Sequence, residues 1–151
     1  MATTPKGIYF PEGKTFADFP QIFKNIAESV DNTLGDFTYD SGWILLTTAN
    51  LTGNWESYNT TGSQTRYRKV GKRIMFDGIA RNGTAAAIYT MPSGFRPNVQ
   101  PSFEVPVAST ETTARSVRAY VTVNGVLSVT QATQAERNSG IGLSGIKYYA
   151  D

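Results

Sequence analysis

The chain has neither cysteine nor histidine. The first absence excludes disulfide scaffolding, thiolate zinc sites, redox dithiols and cysteine nucleophiles. The second removes the commonest general base, and with it serine–histidine triads and histidine metal sites. No metal, no cofactor and no enzymatic activity are expected. Charge is also scarce: 17% of the residues are charged, and the net charge is +2, too small to argue for a nucleic-acid partner. No apolar run approaches the roughly 20 residues that span a bilayer, so membrane insertion is not expected. The opening MATTPKGIYF has no basic region followed by an apolar core, so it does not read as a signal peptide. Walker, GxGxxG and EF-hand patterns are absent.

What is present fits one 151-residue domain with a short appendage, with an apolar fraction of 40% and 14 glycines. Residues 1–14 place Pro5, Gly7, Pro11 and Gly13 around Ile8-Tyr9-Phe10, which suggests an extended arm. A helix follows. Asp18 is placed to cap it, Pro20 suits the first turn, and Gln21 stands three residues after the cap. Phe19, Ile22, Phe23, Ile26 and Val30 form a broad apolar stripe, and Gly35 offers the stop after about 16 residues. Such a stripe packs either on a sheet of its own chain or in a bundle with copies of itself. Its place at one end of an otherwise β-rich chain, and the composition break at Gly35, favour the bundle. The expected division is therefore 1–35 for arm and helix and 36–151 for a β domain.

From Asp36 onward the pattern is strands and turns. SGWILLTT reads as a strand, and Trp55–Tyr58 as a short segment before a hairpin. Gly71-Lys72 separates two runs, pairing Lys69 with Ile74 and Tyr67 with Phe76 on a core-directed face, and Arg68 with Met75 and Arg66 with Asp77 on a wet one. Ala85–Met91 and Phe103–Ala108 read as strands. Asn124-Gly125 predicts a two-residue hairpin pairing Thr122 with Leu127 and Tyr120 with Val129. Gln131–Asn138 reads as a polar loop before a last strand, Gly142–Tyr149. About eight evenly spaced strands predict a mainly β fold, a jelly-roll-like sandwich or barrel.

Candidate chemistry lies around the first hairpin. Arg66, Arg68, Lys69, Lys72 and Arg73 form a basic cluster, but strand alternation splits it between two faces, and Asp77 stands across from Arg66. Carbohydrate sites commonly set an aromatic ring against a sugar, with carboxylate, amide or guanidinium groups bonding its hydroxyls. Trp55, Glu56, Tyr58 and Asn59 supply such a set, Arg66 and Asp77 extend it, and Tyr148 with Tyr149 form an alternative. The competing reading is that Trp43, Trp55 and Tyr67 are core. No two carboxylates have a spacing that suggests the paired acids of a glycosidase, although Glu56 and Asp77 would be the ones to test.

Asn54-Trp55, Tyr58, Tyr67-Arg68-Lys69-Val70-Gly71, Gly78 and Met91-Pro92-Ser93-Gly94-Phe95-Arg96-Pro97, with the closing LSGIKYYAD, resemble the head domain of tail-fibre and baseplate receptor-binding proteins of tailed phages infecting Gram-positive bacteria. The resemblance covers roughly residues 40–151. It implies a homotrimeric β-sandwich head that binds host cell-wall saccharide during adsorption. It further implies an N-terminal part held by other baseplate or tail proteins, and a place in the virion after synthesis in the bacterial cytoplasm. The chain departs from longer members in lacking a long neck, and from some saccharide sites in lacking histidine. The alternative is a structural baseplate or tail accessory protein without receptor binding.

Overall fold

The structure is a computed structural model that describes residues 19–58, 62–108 and 114–151. The expected N-terminal arm, the capping Asp18 and Asn59 lie outside the described residues. The chain divides into two compact units, Met1–Phe37 and Thr38–Asp151.

In the first unit, helix α1 spans Phe19–Thr38. The stop expected at Gly35 does not occur. A mid-helix glycine costs only about 1 kcal/mol, and no proline follows to enforce an end. At 1.5 Å per residue the helix is about 30 Å long. Phe23, Ile26, Val30 and Leu34 are exposed along it at spacings of three, four and four, while Ile22 is half-buried. Lys24 and Glu28 form an i,i+4 ion pair at 3.9 Å, and Gln21 donates to Asn25 at 2.8 Å, so these polar side chains are linked along the helix.

The second unit is mainly β, with every described strand pair antiparallel and no closed barrel. The first sheet takes the order β1 (Ile44–Leu45), β3 (Arg66–Val70), β4 (Arg73–Asp77), β11 (Lys147–Tyr149). A second runs β10 (Ile141–Gly142), β5 (Ile79–Arg81), β2 (Glu56–Ser57). The third runs β6 (Ala87–Thr90), β9 (Val126–Thr130), β8 (Ser116–Val121), β7 (Ser102–Pro106). The β3–β4 hairpin has the predicted register, Arg66 opposite Asp77 and Tyr67 opposite Phe76, with Gly71 at φ 57° in the turn. Its faces also follow the prediction: Tyr67, Ile74 and Phe76 are buried, and Arg66, Arg68, Met75 and Asp77 only half-buried.

The Asn124-Gly125 hairpin departs from expectation by one residue. Val121 faces Leu127, Tyr120 faces Ser128 and Ala119 faces Val129. Only Gly125 has a positive φ, 86°. Thr122 N–H donates to Val126 C=O at 3.0 Å, which closes a three-residue loop with glycine in the left-handed position. Burial decides this register, because a one-residue slip turns a strand's side chains over. The observed pairing puts Val121, Ala119, Leu127 and Val129 in the core together.

Three further expectations change. The SGWILLTT strand shrinks to β1, two residues long. The supposed loop Gln131–Asn138 gives way to helix α2 (Gln134–Ser139), opened by a capping box in which Thr133 and Glu136 bond each other's backbone N–H groups. The single last strand is broken at Ser144-Gly145 into β10 and β11, which belong to different sheets.

Among the described residues, twenty-one buried hydrophobic side chains, all in this unit, form the core. Tyr67 joins the sheets: its ring lies 5.8 Å from Phe76, 5.8 Å from Tyr89 and 5.6 Å, edge-on, from Phe95. Tyr148 is buried beside them, and its hydroxyl donates to the Phe95 carbonyl at 2.7 Å.

Candidate functional site

A group of polar side chains lies where β2, at the edge of the second sheet, approaches the chain leaving β1. β2 and β5 pair with Glu56 opposite Arg81. Glu56 Oε2 accepts a hydrogen bond from Asn82 Nδ2 at 2.8 Å and stands 3.8 Å from Arg81 Nε. The Arg81 guanidinium sits over the Tyr58 ring, 4.8 Å from its centroid. Asn82 has φ 61°, a conformation asparagine tolerates better than most residues, and this places its amide on the carboxylate. Arg81 Nε is buried and makes no hydrogen bond, the Glu56 carboxylate at 3.8 Å being its ion-pair partner.

Of these groups Glu56 and Arg81 line a cleft of about 260 Å³, together with Leu45, Thr47, Thr48, Ser57 and Gln64. Two of its hydroxyls are already ordered. Ser57 Oγ accepts from Thr65 N–H at 2.8 Å, and Thr47 Oγ1 donates to Asn50 Oδ1 at 2.8 Å. Carboxylate, guanidinium, carboxamide and hydroxyl groups converging beside a tyrosine ring suit a polyhydroxylated ligand, which both donates and accepts hydrogen bonds.

The candidate residues scatter. Glu56 lines the cleft, and Tyr58 lies under the guanidinium of Arg81, another lining residue. Trp55 does neither: it is fully buried, its Nε1 donates to Ala85 C=O at 2.9 Å, and Gly83 lies flat against its ring. The expectation that Trp55 offers a ring to a sugar is corrected; the indole is a core side chain. Arg66 and Asp77 are on the first sheet and satisfy each other, with Arg66 Nε and Nη2 donating to Asp77 Oδ2 at 2.9 and 2.6 Å. Ser144 Oγ adds a bond to Asp77 Oδ1 at 2.8 Å. Partial burial works against the Asp77 charge, but the bonds from Ser144 and Arg66 outweigh it and hold the carboxyl below its ordinary range. Arg68 forms a two-point pair with Asp40, which also accepts the Gly42 N–H. These two bonds lower the Asp40 pKa to about 2. Of the alternative pair, Tyr148 is core and Tyr149 is exposed.

Arg81, Asn82, Gln64 and Thr47 were not singled out from the sequence. The signal was faint, because β2 and β5 meet only after the whole β3–β4 hairpin intervenes. Arg81-Asn82 shows no pattern of its own until Glu56 is set opposite.

The sequence matches no protein-family model and no curated protein. Among solved structures, the chain is similar to the receptor binding protein (gp15) of Listeria phage PSA, with 15% identity and a TM-score of 0.58 over 97% of this chain and 91% of that one. At that identity the likeness is one of fold: the head has the fold of a phage receptor-binding protein.

Proposed function

We propose that the protein is a phage tail or baseplate receptor-binding protein whose head binds a host cell-wall saccharide through the cleft formed by Glu56, Arg81 and their neighbours. The observation that carries this reading is a cleft lined by Glu56, Arg81, Gln64, Ser57 and Thr47, with Asn82 bonded to Glu56 and Tyr58 under Arg81, in a chain whose fold follows a phage receptor-binding protein along 97% of its length. In this reading α1 assembles three copies through its exposed Ile26 and Val30 stripe, the N-terminal region is held by other tail or baseplate proteins, and the protein resides in the virion. Three weak sites on one rigid body gain avidity without new contacts. The protein acts by adhesion, not by catalysis.

Purified protein should sediment with walls of the host bacterium, and a saturating excess should block phage adsorption. Arg81→Ala should abolish wall binding while lowering the melting temperature by only a few degrees, since the Arg81 side chain is half-buried and its ion pair with Glu56 is a long one, 3.8 Å. Wild-type protein that binds neither walls nor extracted wall polysaccharide would leave the structural accessory role as the better reading.

A further inference from the structure

Leu45 is one wall of the cleft. Leu45 pairs with Arg66 across β1 and β3, and Trp43 stands two residues before Leu45. Two residues before Arg66, Gln64 lines the cleft. At an extended rise of about 3.3 Å per residue, Trp43 is about 7 Å along the chain from the Leu45 wall, comparable to the length of one pyranose unit. The indole is not adrift at that distance. The Arg66 guanidinium lies 4.6 Å from its centroid, and Arg68 flanks it at 6.0 Å. Both arginines are themselves held, by Asp77 and Asp40 respectively. With Arg66 over it, Trp43 still keeps 41% of its surface in solvent.

A large aromatic side chain left outside the core forgoes the stabilisation of burial. Here the ring is also fixed, so stacking a ligand on it would cost little ordering entropy. Tryptophan with ordered arginines is moreover the composition of residues that dominate binding surfaces.

We propose that Trp43 and the Glu56–Arg81 cleft form one continuous surface, and that its ligand is an oligosaccharide segment of at least two sugar residues, one bonded in the cleft and the next stacked on the Trp43 ring. This rests on the saccharide reading of the cleft, and it makes Trp43 a determinant of chain-length preference rather than of sugar identity.

The probe is a host-wall polysaccharide, hydrolysed and fractionated by length from the monosaccharide upward, titrated into the full-length protein. Affinity should rise about tenfold between the shortest bound fragment and the next one or two lengths. The chain has two tryptophans, and Trp55 is fully buried, so a fluorescence change on binding reports Trp43. That change should accompany the longer fragments only. Trp43→Ala should remove the length-dependent gain and leave the shortest fragment's affinity unchanged, and Trp43→Phe, which keeps a ring, should retain part of the gain. Equal affinities for all lengths, or a gain that survives Trp43→Ala, would overturn the proposal while leaving the cleft reading intact. Failure of even the intact polysaccharide to bind would overturn both.

Discussion

At single positions, the head shows where backbone and side-chain chemistry leave no room. Gly78 joins β4 to β5 with φ 92°, and a Cβ there would lie 2.1 Å from the Gln64 carbonyl oxygen, a backbone atom that cannot swing away. Gly78→Ala should cost about 2–4 kcal/mol, read as a lowered urea midpoint, from left-handed strain and overpacking together. Asp40 gives a pH prediction. The Arg68 guanidinium holds its carboxyl down to about 2 in the folded chain, against an ordinary 3.8. The lowered folded value means that its stabilising contribution is complete above pH 3.8 and is lost as pH falls through about 2. Replacing Arg68 with alanine removes the largest cause of the shift, so the Asp40 midpoint, followed by carboxyl-carbon NMR, should rise towards 3.8. Trp55 and Trp43 illustrate what a sequence leaves open at this scale. Both sit among glycine, polar and aliphatic neighbours, and nothing local tells which indole is core. The contact that decides it, Gly83 flat against Trp55, comes from 28 residues further along.

Among the elements, local signals were legible wherever partners lie close in the chain. The β3–β4 hairpin was readable to its register because glycine at the turn and the apolar alternation of Tyr67, Ile74 and Phe76 agree. In the β8–β9 hairpin they compete. Asn124-Gly125 favours a two-residue turn, while burial of Val121, Leu127 and Val129 requires a register one residue away, and burial prevails. The consequence is measurable: Gly125, at φ 86° with a Cβ position 2.8 Å from Arg96 Cγ and 2.9 Å from the Met91 carbonyl oxygen, cannot be replaced cheaply. Gly125→Ala should destabilise the head by about 1–3 kcal/mol. Asn124→Ala, at a position without a positive φ, should cost only a few tenths in the same denaturation assay. Helix α2 was within reach of the sequence, because Thr133-x-x-Glu136 is a capping-box pattern; its small size and polar surroundings masked it. The β2–β5 pairing that builds the cleft was not within reach, since opposing Glu56 to Arg81 requires the intervening hairpin to be placed first.

For the whole molecule, the two units have different sources of stability. The head contains all of the described buried core, whereas α1 displays Ile26 and Val30 to solvent in a single copy. In the proposed trimer, light scattering should give a mass of three chains, and Ile26→Asp with Val30→Asp should reduce it to one without lowering the head's melting temperature. A wild-type monomer would remove the avidity argument and leave the exposed stripe without the role proposed for it. The order of pairing in the first sheet also bears on how the head is made. Strand β4 receives its second neighbour, β11, in the register Lys147 opposite Met75, so residues 76–146 must leave the ribosome before that edge is covered. At about 5–20 residues per second this takes several seconds, during which a nascent chain carries an open strand edge, the kind of template on which neighbouring chains on one messenger can pair. Expression at lower temperature, or with a chaperone that shields the emerging hairpin, should therefore raise the soluble yield more than any change to the finished surface.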